Sequence, residues 1–132
     1  MVSQNTKLGL KPTVTFAIDG RPDGWALDEH FAVTDAAASG VDVLLAFFTS
    51  AASLTERLPA LAERIYPAGA LWIAWPRKAA GHVSDLGDGV VRAIILEVGL
   101  VDTKVAMIDE DWSGLKVVWR VENRTRTNPE AG

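Results

Sequence analysis

The sequence predicts a three-layer α/β domain whose sheet is mostly parallel and ends in an antiparallel hairpin. Residues 41–48 and 70–75 are apolar on both parities apart from Asp42, as expected of strands hidden on both faces in the middle of a helix-covered sheet. Two apolar stripes at helical spacing follow those runs. The closing segment instead alternates, with Leu115, Val117, Trp119 and Val121 on one side and Lys116, Arg120 and Glu122 on the other. That pattern predicts a half-covered antiparallel strand.

Taken in order, residues 1–12 are polar and then punctuated by Gly9 and Pro12, so they are expected to wrap the surface. Residues 13–18 form a first strand, and the turn-rich stretch 20–27 has room for one or two helical turns. Residues 31–34 are a short extended piece, and Ala36-Ala37-Ala38-Ser39-Gly40 is a small-residue connection. After the strand at 41–48, Thr49 or Ser50 can cap a helix carrying Leu54, Leu58, Leu61 and Ile65 on one face. Pro59 predicts a kink or a division of that helix, and Pro67-Ala68-Gly69 ends it.

The strand 70–75 stops at Pro76, and a loop runs to residue 83. Ser84 or Asp85 can cap a helix reaching about Val98, with Leu86, Val90, Val91, Ile94, Ile95 and Val98 inward and Gly99 as a left-handed terminator. A strand over 101–108, a tight polar turn over 109–114 and the closing strand complete the domain. Right-handed crossovers predict helices on both faces of the sheet.

With 132 residues the chain is expected to hold one domain, residues 1–122, followed by a flexible tail, 123–132. No apolar run nears the ~20 residues that span a bilayer, and the first seven residues lack the pattern of a secretion signal. The absence of cysteine excludes disulfides and thiol chemistry and removes the commonest zinc arrangements. A net charge of −4 argues against a nucleic-acid surface, and Arg120, Arg124 and Arg126 read as solubilising charge near a loose end. A cytoplasmic protein with no membrane or nucleic-acid partner, no metal and no cofactor is the expectation.

Residues 31–36 followed by Val41-Asp42-Val43-Leu44, then Pro67-Ala68-Gly69 and the strand 70–75, resemble the second half of class I S-adenosylmethionine-dependent methyltransferases. That resemblance implies a Rossmann-like, methyltransferase-like sheet. Trp75-Pro76-Arg77-Lys78, with Gly99-Leu100-Val101-Asp102, Lys104-Val105, Asp109 and Trp112-Ser113-Gly114-Leu115, also resembles a group of small bacterial domains of unknown function.

The sequence departs from the methyltransferase pattern in one place. Where the family carries its cofactor loop, this chain reads Asp19-Gly20-Arg21-Pro22-Asp23-Gly24-Trp25, and Pro22 has a fixed φ and no N–H to offer. The stretch between Gly24 and Phe31 also leaves no room for the family's second strand, so the full cofactor-binding half is lacking. Asp35 matches, by position, the residue beside the adenine ring.

Ligands of open parallel sheets sit outside the carboxyl ends of the strands. There the predicted topology collects Asp35, Trp75, Arg77, Lys78, Asp109 and Trp112, a candidate site for an anionic ligand or a partner, with Arg77 and Lys78 supplying charge and the tryptophans a flat wall. The competing reading makes Trp75 and Trp112 core caps and Arg77 and Lys78 solvated loop charges.

Other polar residues have plainer readings. Asp109-Glu110-Asp111 reads as a turn former before a metal clip. His82 beside Asp85 lacks a paired nucleophile, Ser113-Gly114 reads as turn chemistry, and Asp42 is expected to bond backbone N–H groups. Three functions follow. The first is a non-catalytic methyltransferase-like domain acting through a partner or a second copy, with Trp112 and Trp119 as exposed apolar surface. The second is a small-molecule binder or small enzyme at the carboxyl edge. The third is residual S-adenosylmethionine binding through Asp35 and the loop 20–24.

Overall fold

The computed structural model describes residues 3–34, 39–78 and 81–125. Asp35, the run Ala36-Ala37-Ala38, Arg126 and the remainder of the expected tail lie outside the described residues. The elements are α1 (Gln4–Leu8), β1 (Phe16–Asp19), β2 (Val43–Phe47), α2 (Ala51–Ile65), β3 (Ala70–Pro76), α3 (Asp88–Val98), β4 (Leu100–Met107) and β5 (Trp112–Trp119). They build one mixed sheet in the order β1-β2-β3-β5-β4. β1, β2 and β3 run parallel, and β5 and β4 pair antiparallel to close the sheet as a hairpin. The Rossmann-like architecture expected from the two doubly buried strands is present: every residue of β2 and β3 is buried.

The two faces are covered unequally. Leu54, Leu58, Leu61 and Ile65 of α2 and Val91 and Ile95 of α3 pack on one face, against Leu44, Ala46, Leu71, Ile73, Leu115 and Val117. The opposite face, with Phe16, Val43, Leu45, Phe47, Trp72 and Ala74, is covered by Leu8 of α1 and by Trp25, Leu27 and Phe31 from the segment after β1. Both long helices thus share a side, because the β1–β2 connection contributes apolar anchors in coil rather than a helix.

Several expectations are corrected. The start of the chain is helical: Ser3 accepts from Thr6 N at 3.2 Å and Gly9 closes the turn at φ 79°. Burying Leu8 fixes that turn against Trp72, whose indole N–H donates to the Leu8 carbonyl at 3.2 Å. Of the kink or division expected at Pro59, the division does not occur, since α2 is continuous through it. The surface position of Pro59 and the buried stripe on the opposite side hold the helix together.

α3 begins at Asp88 rather than at Ser84 or Asp85, because those two side chains serve α2 instead. Asp85 accepts from Ala51 N at 2.9 Å, and Ser84 donates to the Thr49 carbonyl at 2.8 Å. Ser50 is the N-cap of α2, accepting from Ser53 N. At the far side α3 is tied to β4 by Arg92, which donates to Asp102 at 3.0 Å and to Asp88 at 3.1 Å. The hydrogen bond to Asp102 is the chief cause raising the Arg92 pKa above its ordinary value.

Ser113 and Gly114 lie inside β5 rather than in a turn, since a side chain at 114 would strike Ile108 at 2.5 Å. β5 is an interior strand and β4 forms the edge. Trp119 is buried, with its indole N–H on the Ala62 carbonyl at 2.9 Å, and Trp112 is half-buried, so neither supplies the exposed surface expected of it. Val121 leaves the strand and stands exposed in a 3₁₀ turn over Val121–Asn123. Asn123 and Arg124 bond back to the Gly99 and Trp119 carbonyls. Among the described residues no helix is long and apolar enough to cross a membrane.

Candidate functional site

The carboxyl ends of β1, β2 and β3 open at one edge, where the residues singled out from the sequence separate into distinct structures. Trp75 is buried on the α2/α3 face and lines a hollow of about 310 Å³ with Lys78, Ser113 and Val105. Trp112 packs on the opposite face, edge-on to Phe47 at 4.9 Å. The two tryptophans therefore do not form one wall.

Arg77 braces the β4–β5 turn: its guanidinium donates to the Glu110 carbonyl at 2.6 Å and its backbone N–H to the Asp111 carbonyl at 2.8 Å. Asp109 organises the same turn, accepting from Asp111 N at 2.8 Å and Trp112 N at 2.9 Å. Its other oxygen accepts the Trp25 indole N–H at 2.7 Å, which pins the segment after β1 across the edge. Lys78 stands in solvent.

His82 pairs with Asp111 at 2.9 Å, not with Asp85. Among the described residues no group of three His, Asp or Glu converges as metal ligands. Asp42 does meet a backbone N–H, that of Thr15, at 2.9 Å, together with the Thr15 hydroxyl at 3.1 Å.

A cleft of about 380 Å³ lies over the ends of β1 and β2. Gly20 and Pro22 from the turn after β1 form its floor, and Phe47, Phe48 and Thr49 leave β2 along one side. Ser53 and Arg57, one helical turn apart on α2, face it, and Trp112 closes the far wall. Gly20 is held at φ 69°, and a Cβ there would sit 3.0 Å from the Phe47 carbonyl and 3.5 Å from the Arg57 guanidinium. The turn continues through Trp25 N on the Pro22 carbonyl at 3.0 Å.

Asp19 ends β1 and receives two cations, Arg57 through a short charge-assisted bond and Arg64 at 3.1 Å. Arg57 also lies over the Phe48 ring, 4.8 Å from its centroid. The hydroxyls of Thr49 and Ser53 have no protein hydrogen bond among the described residues.

Of the five described residues among Asp35, Trp75, Arg77, Lys78, Asp109 and Trp112, Trp112 borders this cleft and the other four do not, while Asp35 lies outside the described residues. Neither Arg57 nor Ser53 was singled out from the sequence. The legible signal was a Ser–Arg pair at i, i+4 in the first half of α2, opposite an Asp that ends β1.

Solved structures match the chain as a fold. TnmH aligns over 89% of this chain and 48% of its own, with 16% identity and a TM-score of 0.53. LepI C52A, in complex with SAH and a substrate analogue, aligns over 88% of this chain and 39% of its own, with 8% identity and a TM-score of 0.54. The fold is methyltransferase-like. A magnesium protoporphyrin IX methyltransferase from Synechocystis PCC 6803, with bound SAM, also matches, over 74% of this chain and 49% of its own, at 14% identity and a TM-score of 0.48. The methyltransferase-like chain thus spans about half the length of the solved chains it matches or less. No protein-family model and no curated protein matches its sequence.

S-adenosylmethionine brings a sulfonium, an ammonium, a carboxylate and a ribose diol, with a net charge of about +1. Among the described residues Arg57 alone brings charge to the cleft lining, and the nearby carboxylate, Asp19, is shared by two arginines. Among the described residues the cleft lining thus offers a cation to the carboxylate but no carboxylate to the ammonium or the ribose, and Pro22 takes the place of a backbone donor.

Proposed function

We propose that this methyltransferase-like domain binds a small ligand at the cleft over β1 and β2 and does not transfer methyl groups. One observation carries the reading: the carboxylate at the end of β1 is already held by two guanidinium groups. The cleft supplies what small-molecule sites generally use, mostly apolar walls with a few converging polar groups.

Association through the sheet edge has less support. The exposed strand β4 carries Lys104 and an irregular register between Asp102 and Lys104, both features that discourage strand addition.

Titration calorimetry with S-adenosylmethionine and with S-adenosylhomocysteine tests the reading. No heat is expected from either at millimolar concentration. Saturable binding of S-adenosylmethionine, weakened by Gly20→Val at the cleft floor, would refute it.

A further inference from the structure

We infer that the cleft over β1 and β2 is built for a compact aromatic anion, a flat ring bearing a single carboxylate or phosphate. This rests on the ligand-binding reading above and adds the ligand's charge and shape.

The walls set the shape. Phe48 lies under Arg57, while Phe47 and Trp112 meet edge-on at 4.9 Å, so aromatic surface borders the cleft from both faces of the sheet. Aromatic pairs favour edge-to-face and offset stacking, and a flat ring entering here meets both geometries. At about 380 Å³ the space is near the lower end of ligand pockets, which suits one or two rings.

Arg57 sets the charge. Two arginines share one carboxylate at Asp19, on a chain whose net charge is −4. A guanidinium has five N–H donors in a planar fork, and Arg57 commits one of them, to Asp19. Its Nη1 lies near Gly20, 3.5 Å from where a Cβ would stand, at a turn whose φ of 69° favours glycine. The hydroxyls of Ser53 and Thr49 flank it, both without a protein partner among the described residues. An oxyanion held by Arg57 and these hydroxyls, with its ring against Phe48 and Trp112, satisfies every one of these groups.

The test is chemical-shift titration of the isotope-labelled protein with four probes of similar size: benzoate, phenyl phosphate, benzyl alcohol and benzylamine. Benzoate or phenyl phosphate is expected to move the amides of Gly20, Thr49 and Ser53 saturably, and the stronger of the two identifies the acid group. Arg57→Gln should weaken that binding about tenfold or more, the loss of a charge-assisted hydrogen bond. Ser53→Ala, at a half-buried hydroxyl that leaves the ion pairs intact, should weaken it about fivefold and serves if Arg57→Gln does not fold.

If benzyl alcohol binds at the cleft as tightly as the anions, the charge assignment fails while ligand binding there stands. Preference for benzylamine would overturn the inference in the same way. If none of the four moves the cleft amides, the inference and the ligand-binding reading fall together.

Discussion

Asp109 shows how one side chain can set the geometry of an edge. Its two oxygens satisfy three donors, two backbone N–H groups of its own turn and the indole of Trp25, 84 residues earlier. Asp109→Ala should therefore cost about 2–3 kcal/mol of stability, since hydrogen bonds to charged groups contribute ~1.5–3 kcal/mol each and part of the site is exposed. Urea denaturation measures this, and Trp25→Phe should recover a smaller loss because it removes only one donor. The local half of this arrangement was legible, as an acidic run between strands reads as a turn. The Trp25 contact was not, because no spacing in the sequence records a partner that the fold brings from the other end. Arg57 is a similar case: its polarity was visible on a helix, whereas its meeting with Asp19 depends on how β1 and α2 pack.

Elements were most legible where burial dictates pattern. β2 and β3 follow from their two-sided apolar runs, and α2 follows from its stripe. Capping was less so: Ser84 and Asp85 have the chemistry of caps, yet they serve the helix that begins beside them in space rather than the one that follows in sequence. Pro59 removes a hydrogen bond inside α2 without dividing it, so Pro59→Ala should stabilise the protein by about 2 kcal/mol. That is the helix preference less the lost rigidity of the unfolded chain, and a rise in thermal midpoint reads it.

Two glycines mark where elements touch. At Gly114 an added Cβ meets side-chain atoms of Ile108 and Trp72, which can shift, so Gly114→Ala should cost about 1–3 kcal/mol. At Gly69 it would overlap the backbone carbonyl of Val41 and lie 2.9 Å from that of Ile65. Backbone cannot step aside as a side chain does. Gly69→Ala should cost more, about 3 kcal/mol or above, and equal losses in the two variants would contradict this packing account.

For the whole molecule, sheet class and the closing hairpin could be read from pattern, while the distribution of cover could not. Coil and helix fill the same space when their anchors are apolar, and Trp25, Leu27 and Phe31 cover a face without any helical period to announce it. Strand order was equally hidden: the alternating segment suggested an edge, but β4 wraps outside it. That outer strand carries Val105 and Met107 exposed beside Lys104. Lys104→Val should remove the charge that guards the edge, so light scattering of the variant should show mass rising with concentration while the parent stays constant.

Trp72 offers a last consequence. Its ring is wholly enclosed and its N–H is tied to the carbonyl of Leu8, so its share of the emission from the chain's five tryptophans acts as a built-in gauge of whether the opening turn is seated. Clipping the first nine residues should let water reach that indole and shift its fluorescence to the red, even while the remaining strands stay paired.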